Sequence, residues 1–264
     1  MVSANDLEIN TEEIELKITE FIAENVEKAG LKGAVVAVSG GIDSAVALAL
    51  TVKALGREKV TAITLPDCDA TPECDIMDVM QHCVSLGVTC NTLDITPILH
   101  VMRGTLPHYN ATDRVPSGNV KSRVRMIVAY HYANRLNRMV MGTSNKTELL
   151  TGFFTKHGDG GVDIMPLADL YKTQIRQLAR HLNVPENIVT KPPSPGFFPG
   201  QTDEGELGID YATLDLVLYS LDKGVDARKI SEDLKITLRQ VEAIQTRIKA
   251  NEHKRRPPLI LRLT

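Results

Sequence analysis

The chain has 264 residues, a formal net charge of −3, 43% hydrophobic residues and 24% charged ones. These are ordinary globular proportions, and they exclude a collagen-like, disordered or disulfide-stapled small protein; the mild acidity argues against a general nucleic-acid binder. No apolar run of about 18 residues is present, so no membrane span is expected; the acidic start MVSANDLEINTEEIE lacks a secretory pattern, which points to a cytoplasmic protein with reduced thiols.

The first periodic segment carries Ile14, Ile18, Phe21, Ile22 and Val26 at helical spacing, with Asn10 placed to cap it and Gly30 to end it. AVVAVS (34–39) then reads as a buried strand, and the turn GGID leads into a buried helix, 44–55, closed by Gly56. A second strand is expected at 60–66, a helix at 72–86 and a third strand at 88–95. A long basic helix at 119–137 precedes a fourth strand, 138–143; an amphipathic helix follows at 170–182. Pro192, Pro193, Pro195 and Pro199 make KPPSPGFFPG a loop. Two or three helices should finish the chain, the last from near Thr237. Strands alternating with helices imply α/β architecture: a doubly wound, mostly parallel five-stranded sheet with helices on both faces, forming one domain over 1–264. Ligands in such folds sit beyond the carboxyl ends of the strands.

Two local features carry less weight. Cys68, Cys74, Cys83 and Cys90 fall in one short segment beside His82, but no C-x-x-C pair is among them, so thiols packed as small hydrophobes are favoured over zinc. Residues 1–30 hold eight acids against two lysines, and residues 247–264 six basic residues against one Glu. Solvated faces explain such runs in general, although the basic tail could also meet a phosphate.

The strongest signal is AVSGGIDSAV. A strand enters Ser39-Gly40-Gly41-Ile42-Asp43-Ser44 and a helix leaves it. Adjacent glycines allow close backbone approach, and the helix start offers unpaired N–H groups and a partial positive charge; the serines add hydroxyl donors. Neither G-x-x-x-x-G-K-[ST] nor G-x-G-x-x-G is present. A carboxylate at Asp43 would repel phosphate unless it holds Mg²⁺. A plain Gly-Gly turn with Asp43 and Ser44 as caps is the alternative, which the flanking strand and buried helix disfavour.

SGGIDS resembles the pyrophosphate loop of the ATP pyrophosphatase group, whose members cleave ATP between the α- and β-phosphates and adenylate an oxygen of the substrate. GTSNKTELLTGFFTKHGDGGVDIMPLADLYKTQIRQLA (142–179) further resembles ammonia-dependent NAD synthetases, as do RVRM (123–126), ELGIDY (206–211) and EHKRRPP (252–258). The resemblance covers essentially the whole chain, in order. It implies that Ala37, Val38, Ser39, Gly40, Gly41, Ile42, Asp43 and Ser44 surround the ATP phosphates, that Asp43 and Glu148 hold Mg²⁺, and that Thr143, Lys172 and Ser194 contact ATP. Arg123, Lys156, Asp163, His253 and Lys254 are implied to contact deamido-NAD. The chain departs from the family at Ser194-Pro195, where a proline stiffens the backbone, and over most of 68–90, so adenine contacts cannot be placed.

The implied reaction joins the nicotinate carboxylate of deamido-NAD to the α-phosphate of ATP, releasing pyrophosphate. Ammonia then displaces AMP to give NAD. Asp43, Glu148 and Lys172 would neutralise charge, and Asp159 or Asp163 could take the ammonia proton. Phe153 and Phe154 could stack on a ring or pack in the core. The family also implies a homodimer and free ammonia as nitrogen source, with a separate glutaminase left open. A tRNA thiolation enzyme is one rival, kept alive by the cysteines and opposed by the charge; a nucleotide sensor without turnover is another.

Overall fold

The computed structural model describes residues 2–198 and 200–263, so Pro199 of the proline-rich loop lies outside the described residues. Helix α1 (Thr11–Lys28) starts where Asn10 accepts from the Glu13 N–H, and it buries Ile18, Ile22 and Val26. Strand β1 (Ala34–Ala37) leads through the glycine turn into α2 (Ile42–Leu55), which has nine buried residues and ends at Gly56. Then come β2 (Val60–Thr64), α3 (Glu73–Ser85), β3 (Cys90–Thr92), α4 (Thr96–Thr105), α5 (Arg114–Leu136) and β4 (Met139–Met141). Short α6 (Lys146–Thr151), α7 (Lys172–His181) and α8 (Glu186–Thr190) follow; α9 (Asp203–Leu207), α10 (Tyr211–Asp222), α11 (Ala227–Leu234) and α12 (Leu238–Ala250) complete the order.

All described strand pairs are parallel and the order is β3-β2-β1-β4. Side chains alternate across the sheet as a pleated strand requires. Ala34, Val36, Ala62, Met139 and Met141 pack with α1, α2 and α7 on one face. Val35, Ile63 and Val140 pack with Leu99 of α4 and with Val124, Val128, Ala129 and Ala133 of α5 on the other. A third cluster joins Tyr171 to α10, α11 and α12 through Tyr211, Leu214, Val217, Ile230 and Val241.

The doubly wound expectation holds, with four strands among the described residues instead of five. Beyond β4, the chain returns alongside it only as an isolated parallel bridge, Met141 to Ile164. The reason is local. The Asp163 side chain takes the Val140 N–H at 2.7 Å, a donor that a ladder would use, and Pro166 can donate none. Helix α5 begins five residues before its predicted start because Pro116 lies in the first turn, where a missing N–H costs nothing. Helix α4 was not predicted. Among the described residues four helices, not two or three, follow the proline-rich loop; α9, at five residues, is too short to show periodicity.

The chain winds outward from β1 to β2 and β3, then crosses back to β4 on the other side of β1. The loops after β1 and β4 therefore part at a switch point, and a cleft opens there.

Candidate active site

That cleft is about 770 Å³ and is lined by Ala37 to Ser44, Thr143, Glu148, Asp159, Lys172, Ser194 and Lys254 together. The fold thus gathers most of the predicted site into one place. Arg123, Lys156, Asp163 and His253 do not line it. The exposed Arg123 donates to Lys156 O at 3.2 Å and Lys156 Nζ to His253 O at 2.7 Å, which makes a chain of contacts on the outer rim. Asp163 is engaged by Val140 N and by the Tyr130 hydroxyl at 3.0 Å.

The loop Ser39–Ser44 is shaped by its own serines. Ser44 Oγ donates to Gly41 O at 2.9 Å and accepts from Ser39 N at 3.1 Å, and Gly41 N reaches Ser39 Oγ at 3.3 Å. The hydroxyls expected to donate to phosphate are instead occupied in holding the turn. The N–H groups of Ile42, Asp43 and Ser44, in the first turn of α2, have no intrahelical acceptor. Gly40 has φ +86°, and a Cβ there would lie 2.8 Å from Asp75 O; only glycine fits.

Opposite the loop, Asn145 caps α6 by accepting from Glu148 N at 3.0 Å, while Glu148 Oε2 accepts from Asn145 N at 3.2 Å. The Asn145 Nδ2 donates to Asp43 Oδ1 at 2.8 Å. One buried amide therefore orients both predicted metal carboxylates. Lys172, 3% exposed, enters from the start of α7 with Nζ 2.5 Å from Asp43 Oδ2 and 3.5 Å from Glu148 Oε1. Burial first, then the Asp43 charge, pushes the Glu148 carboxyl up to about 8, with Lys172 pulling the other way. Burial alone would lower the Lys172 ammonium; Asp43, Glu148 and Asp203 outweigh it and hold it well above the ordinary lysine value.

Two carboxylates facing one point that already holds a cation are a donor set suited to a hard ion such as Mg²⁺. Among the described residues no group of three or more His, Cys, Asp or Glu converges. An ion held by Asp43 and Glu148 would take its other ligands from phosphate oxygens and water. The four cysteines do not form one cluster: Cys68 and Cys74 are exposed, whereas buried Cys83 and half-buried Cys90 share a side-chain hydrogen bond. His82 is buried and pairs its Nε2 with Ala45 O at 3.0 Å, and burial lowers its pKa.

On the far wall, Asp159 is exposed to the cleft, and its Oδ1 accepts from Ser122 Oγ at 2.6 Å and Thr155 N at 3.0 Å. The surrounding protein raises its carboxyl. Lys254 Nζ donates to Gly152 O at 2.7 Å and to Phe154 O at 3.1 Å, which ties the C-terminal segment to the GFF loop. Phe154 is buried beneath Lys254 at 5.7 Å, and half-buried Phe153 faces Arg247 at 5.8 Å. Ser194 is an exposed lining residue whose Oγ accepts from Gly196 N at 3.1 Å.

Several residues in and behind the lining escaped the sequence reading. Asn145 carried a usable signal, the N-x-x-E spacing of a capping box. Asp203 is 4% exposed and takes the Tyr211 hydroxyl on Oδ2 at 2.8 Å. Burial raises its carboxyl. Lys191 pairs with Asp75 at 2.7 Å and with Asp78. Just beyond this lining, Lys121 meets Asp67 at 2.6 Å, both nearly inaccessible, and donates to Phe197 O at 2.7 Å, clamping the proline-rich loop to α5. No periodicity announces the contacts of Lys191 and Lys121, because each joins segments distant in the chain.

Fold and site together define a nucleotide-binding α/β protein, with an amide-lined loop at a switch point beside paired carboxylates and a lysine. The chain belongs to the NAD synthase family, whose model matches residues 14–258. An NH(3)-dependent NAD(+) synthetase of Methanosarcina acetivorans is 45% identical over 247 residues, 94% of this chain and 96% of that protein. The structure of NMN synthetase from Francisella tularensis aligns with a TM-score of 0.85 at 32% identity, over 96% of this chain and 99% of that one. An NH3-dependent NAD synthetase of Campylobacter jejuni aligns with a TM-score of 0.81 at 28% identity, over 97% and 100%.

Proposed function

We propose that this chain is an ATP-dependent ligase that amidates deamido-NAD to NAD with ammonia, through an acyl-adenylate and with release of AMP and pyrophosphate. The observation that carries the reading is the convergence of the Ser39–Ser44 amides, Asp43, Glu148 and Lys172 at one end of one cleft.

A carboxylate resists attack by ammonia because oxide is a poor leaving group; adenylation supplies a good one. Attack of that anion on a triphosphate needs positive charge where pyrophosphate departs. The amides of Ile42, Asp43 and Ser44 face the phosphates, and Lys172 adds a buried cation. Mg²⁺ held by Asp43 and Glu148 would neutralise further phosphate charge. Asp159 opens to the cleft beside the GFF loop and is placed to take the proton that ammonia loses. Phe153, Phe154 and the clamped proline-rich loop shield the adenylate from water.

Arg123, Lys156 and His253 on the rim fit a dinucleotide that extends out of the cleft and is completed by a second copy of the chain. Exposed Val101, Val115 and Ile127 on α4 and α5 support that homodimer; Ile127 is one helical turn from Arg123. No described helix is long and apolar enough to cross a membrane, and a cytoplasmic site of action belongs to the same proposal.

The test is pyrophosphate release and amide formation by the purified chain with ATP and Mg²⁺, comparing ammonium with glutamine and deamido-NAD with nicotinate mononucleotide. Turnover with ammonium and the dinucleotide is expected. Preference for the mononucleotide would move the substrate; no release with either acid would defeat the proposal.

A further inference from the structure

The point where Asp43 and Glu148 meet holds the Lys172 ammonium, 2.5 Å from one and 3.5 Å from the other. A divalent ion and an ammonium compete for two carboxylates at that range, since like charges in a partly dehydrated cleft repel. A metal arriving there displaces the lysine, and the displaced ammonium needs another acceptor.

The structure contains one. Asp203 is 4% exposed and lines the same cleft, and its Oδ1 has no hydrogen-bond partner among the described residues. A buried carboxylate oxygen without a donor is costly and calls for a reason. The Tyr211 hydroxyl holds Oδ2 at 2.8 Å, and the Tyr211 ring lies 5.1 Å from Lys172 Nζ. The same tyrosine therefore touches both the lysine and the unused acid. Four rotatable side-chain bonds give Lys172 the reach to move between them.

We propose that Lys172 is a stand-in cation that neutralises Asp43 and Glu148 until a metal–nucleotide complex enters, and that Asp203 is the positioning residue that then accepts one N–H of its ammonium and holds it beside the phosphates. The proposal rests on the reading of Asp43 and Glu148 as the metal-holding pair. It explains why a lysine is buried among three acids, and why one of those acids carries an idle oxygen. It also makes metal affinity depend on the fraction of chains in which the lysine has already left.

The experiment titrates Mn²⁺ into the full chain, followed by the paramagnetic resonance of the unbound ion, with and without ATP. It uses wild type, Lys172→Met, Asp203→Asn and the double variant. Without nucleotide, Lys172→Met should hold Mn²⁺ about tenfold more tightly than wild type, as release from a competing state predicts. Removing a nearby positive charge also tightens binding by itself, so the cycle decides. Asp203→Asn should weaken Mn²⁺ by more than about threefold when Lys172 is present, and by less than half that when it is Met. Equal weakening in both backgrounds overturns the lysine transfer. Failure of every form to hold Mn²⁺ even with ATP overturns the metal reading beneath it. If Lys172→Met does not fold, a crystal structure of wild type soaked with Mn²⁺ and ATP replaces it. Lys172 Nζ within hydrogen-bond distance of Asp203 supports the proposal, and Nζ still on Asp43 overturns it.

Discussion

Asn145 is the residue on which the site's geometry depends most directly. It is fully buried, accepts from Glu148 N to start α6, and donates to Asp43 Oδ1 at 2.8 Å. Asn145→Ser keeps a capping oxygen but is too short to reach Asp43. It should lose one hydrogen bond to a charged group, about 1.5–3 kcal/mol. Asn145→Ala loses the cap as well, another ~0.5–2 kcal/mol. For a chain of this length about 2 °C of melting temperature corresponds to each kcal/mol. Thermal melts should therefore fall by about 3–6 °C for Ser and somewhat more for Ala. Pyrophosphate release should drop in both, because Asp43 is no longer held toward Glu148. A Ser variant that melts and turns over like wild type would refute the claim that this amide orients the carboxylates.

Asp43→Asn and Glu148→Gln should fold and yet lose at least about a hundredfold in pyrophosphate release, the scale of a lost charge-stabilising group; near-normal turnover removes the metal assignment. Gly40→Ala places a Cβ 2.8 Å from Asp75 O at φ +86°, so calorimetry should show ATP affinity falling well below wild type, and unchanged affinity counts against the loop assignment. His82 is buried with a depressed pKa, so the unfolded chain binds its proton first as pH drops; stability should fall below about pH 6.5, the ordinary histidine value. Asp215, buried with a carboxyl raised to about 6, acts in the opposite sense, so the measurement compares urea midpoints of wild type and His82→Leu between neutral and mildly acid pH. A wild type that loses no more than the variant rules out His82. Lys254→Ala frees the GFF loop and should raise the KM for deamido-NAD more than that for ATP; equal shifts would place Lys254 elsewhere.

Alternating strand and helix patterns, the capping asparagine at position 10 and the glycine turn after β1 were legible because each is written in adjacent residues. The short apolar runs at 34–39 and 138–143 read as buried strands, each ending in a polar turn, and this marked the turn at 39–44 with its carboxylate as a candidate site. The missing fifth strand was not legible. Asp163 reads as a polar residue in a polar loop, and only in three dimensions does its side chain take the donor that a strand would use.

The chain alone determined which groups exist: the amides at the head of α2, Asp43, Glu148 and Lys172, and the order of elements that winds a parallel sheet. Tertiary structure decided which of them meet. Crossing from β3 back past β1 to β4 brings position 145 against position 43, and the docking of α7 drives Lys172 between two acids. Asp203 is buried beside Tyr211, with its N–H on Pro193 O of the proline-rich loop at 3.0 Å. The two contacts to Asp43 join residues more than a hundred positions apart, and the role of Asp203 turns on which of its oxygens is left over. Local propensity carries no information about either, because they are fixed by the packing of whole elements and not by neighbours in the chain.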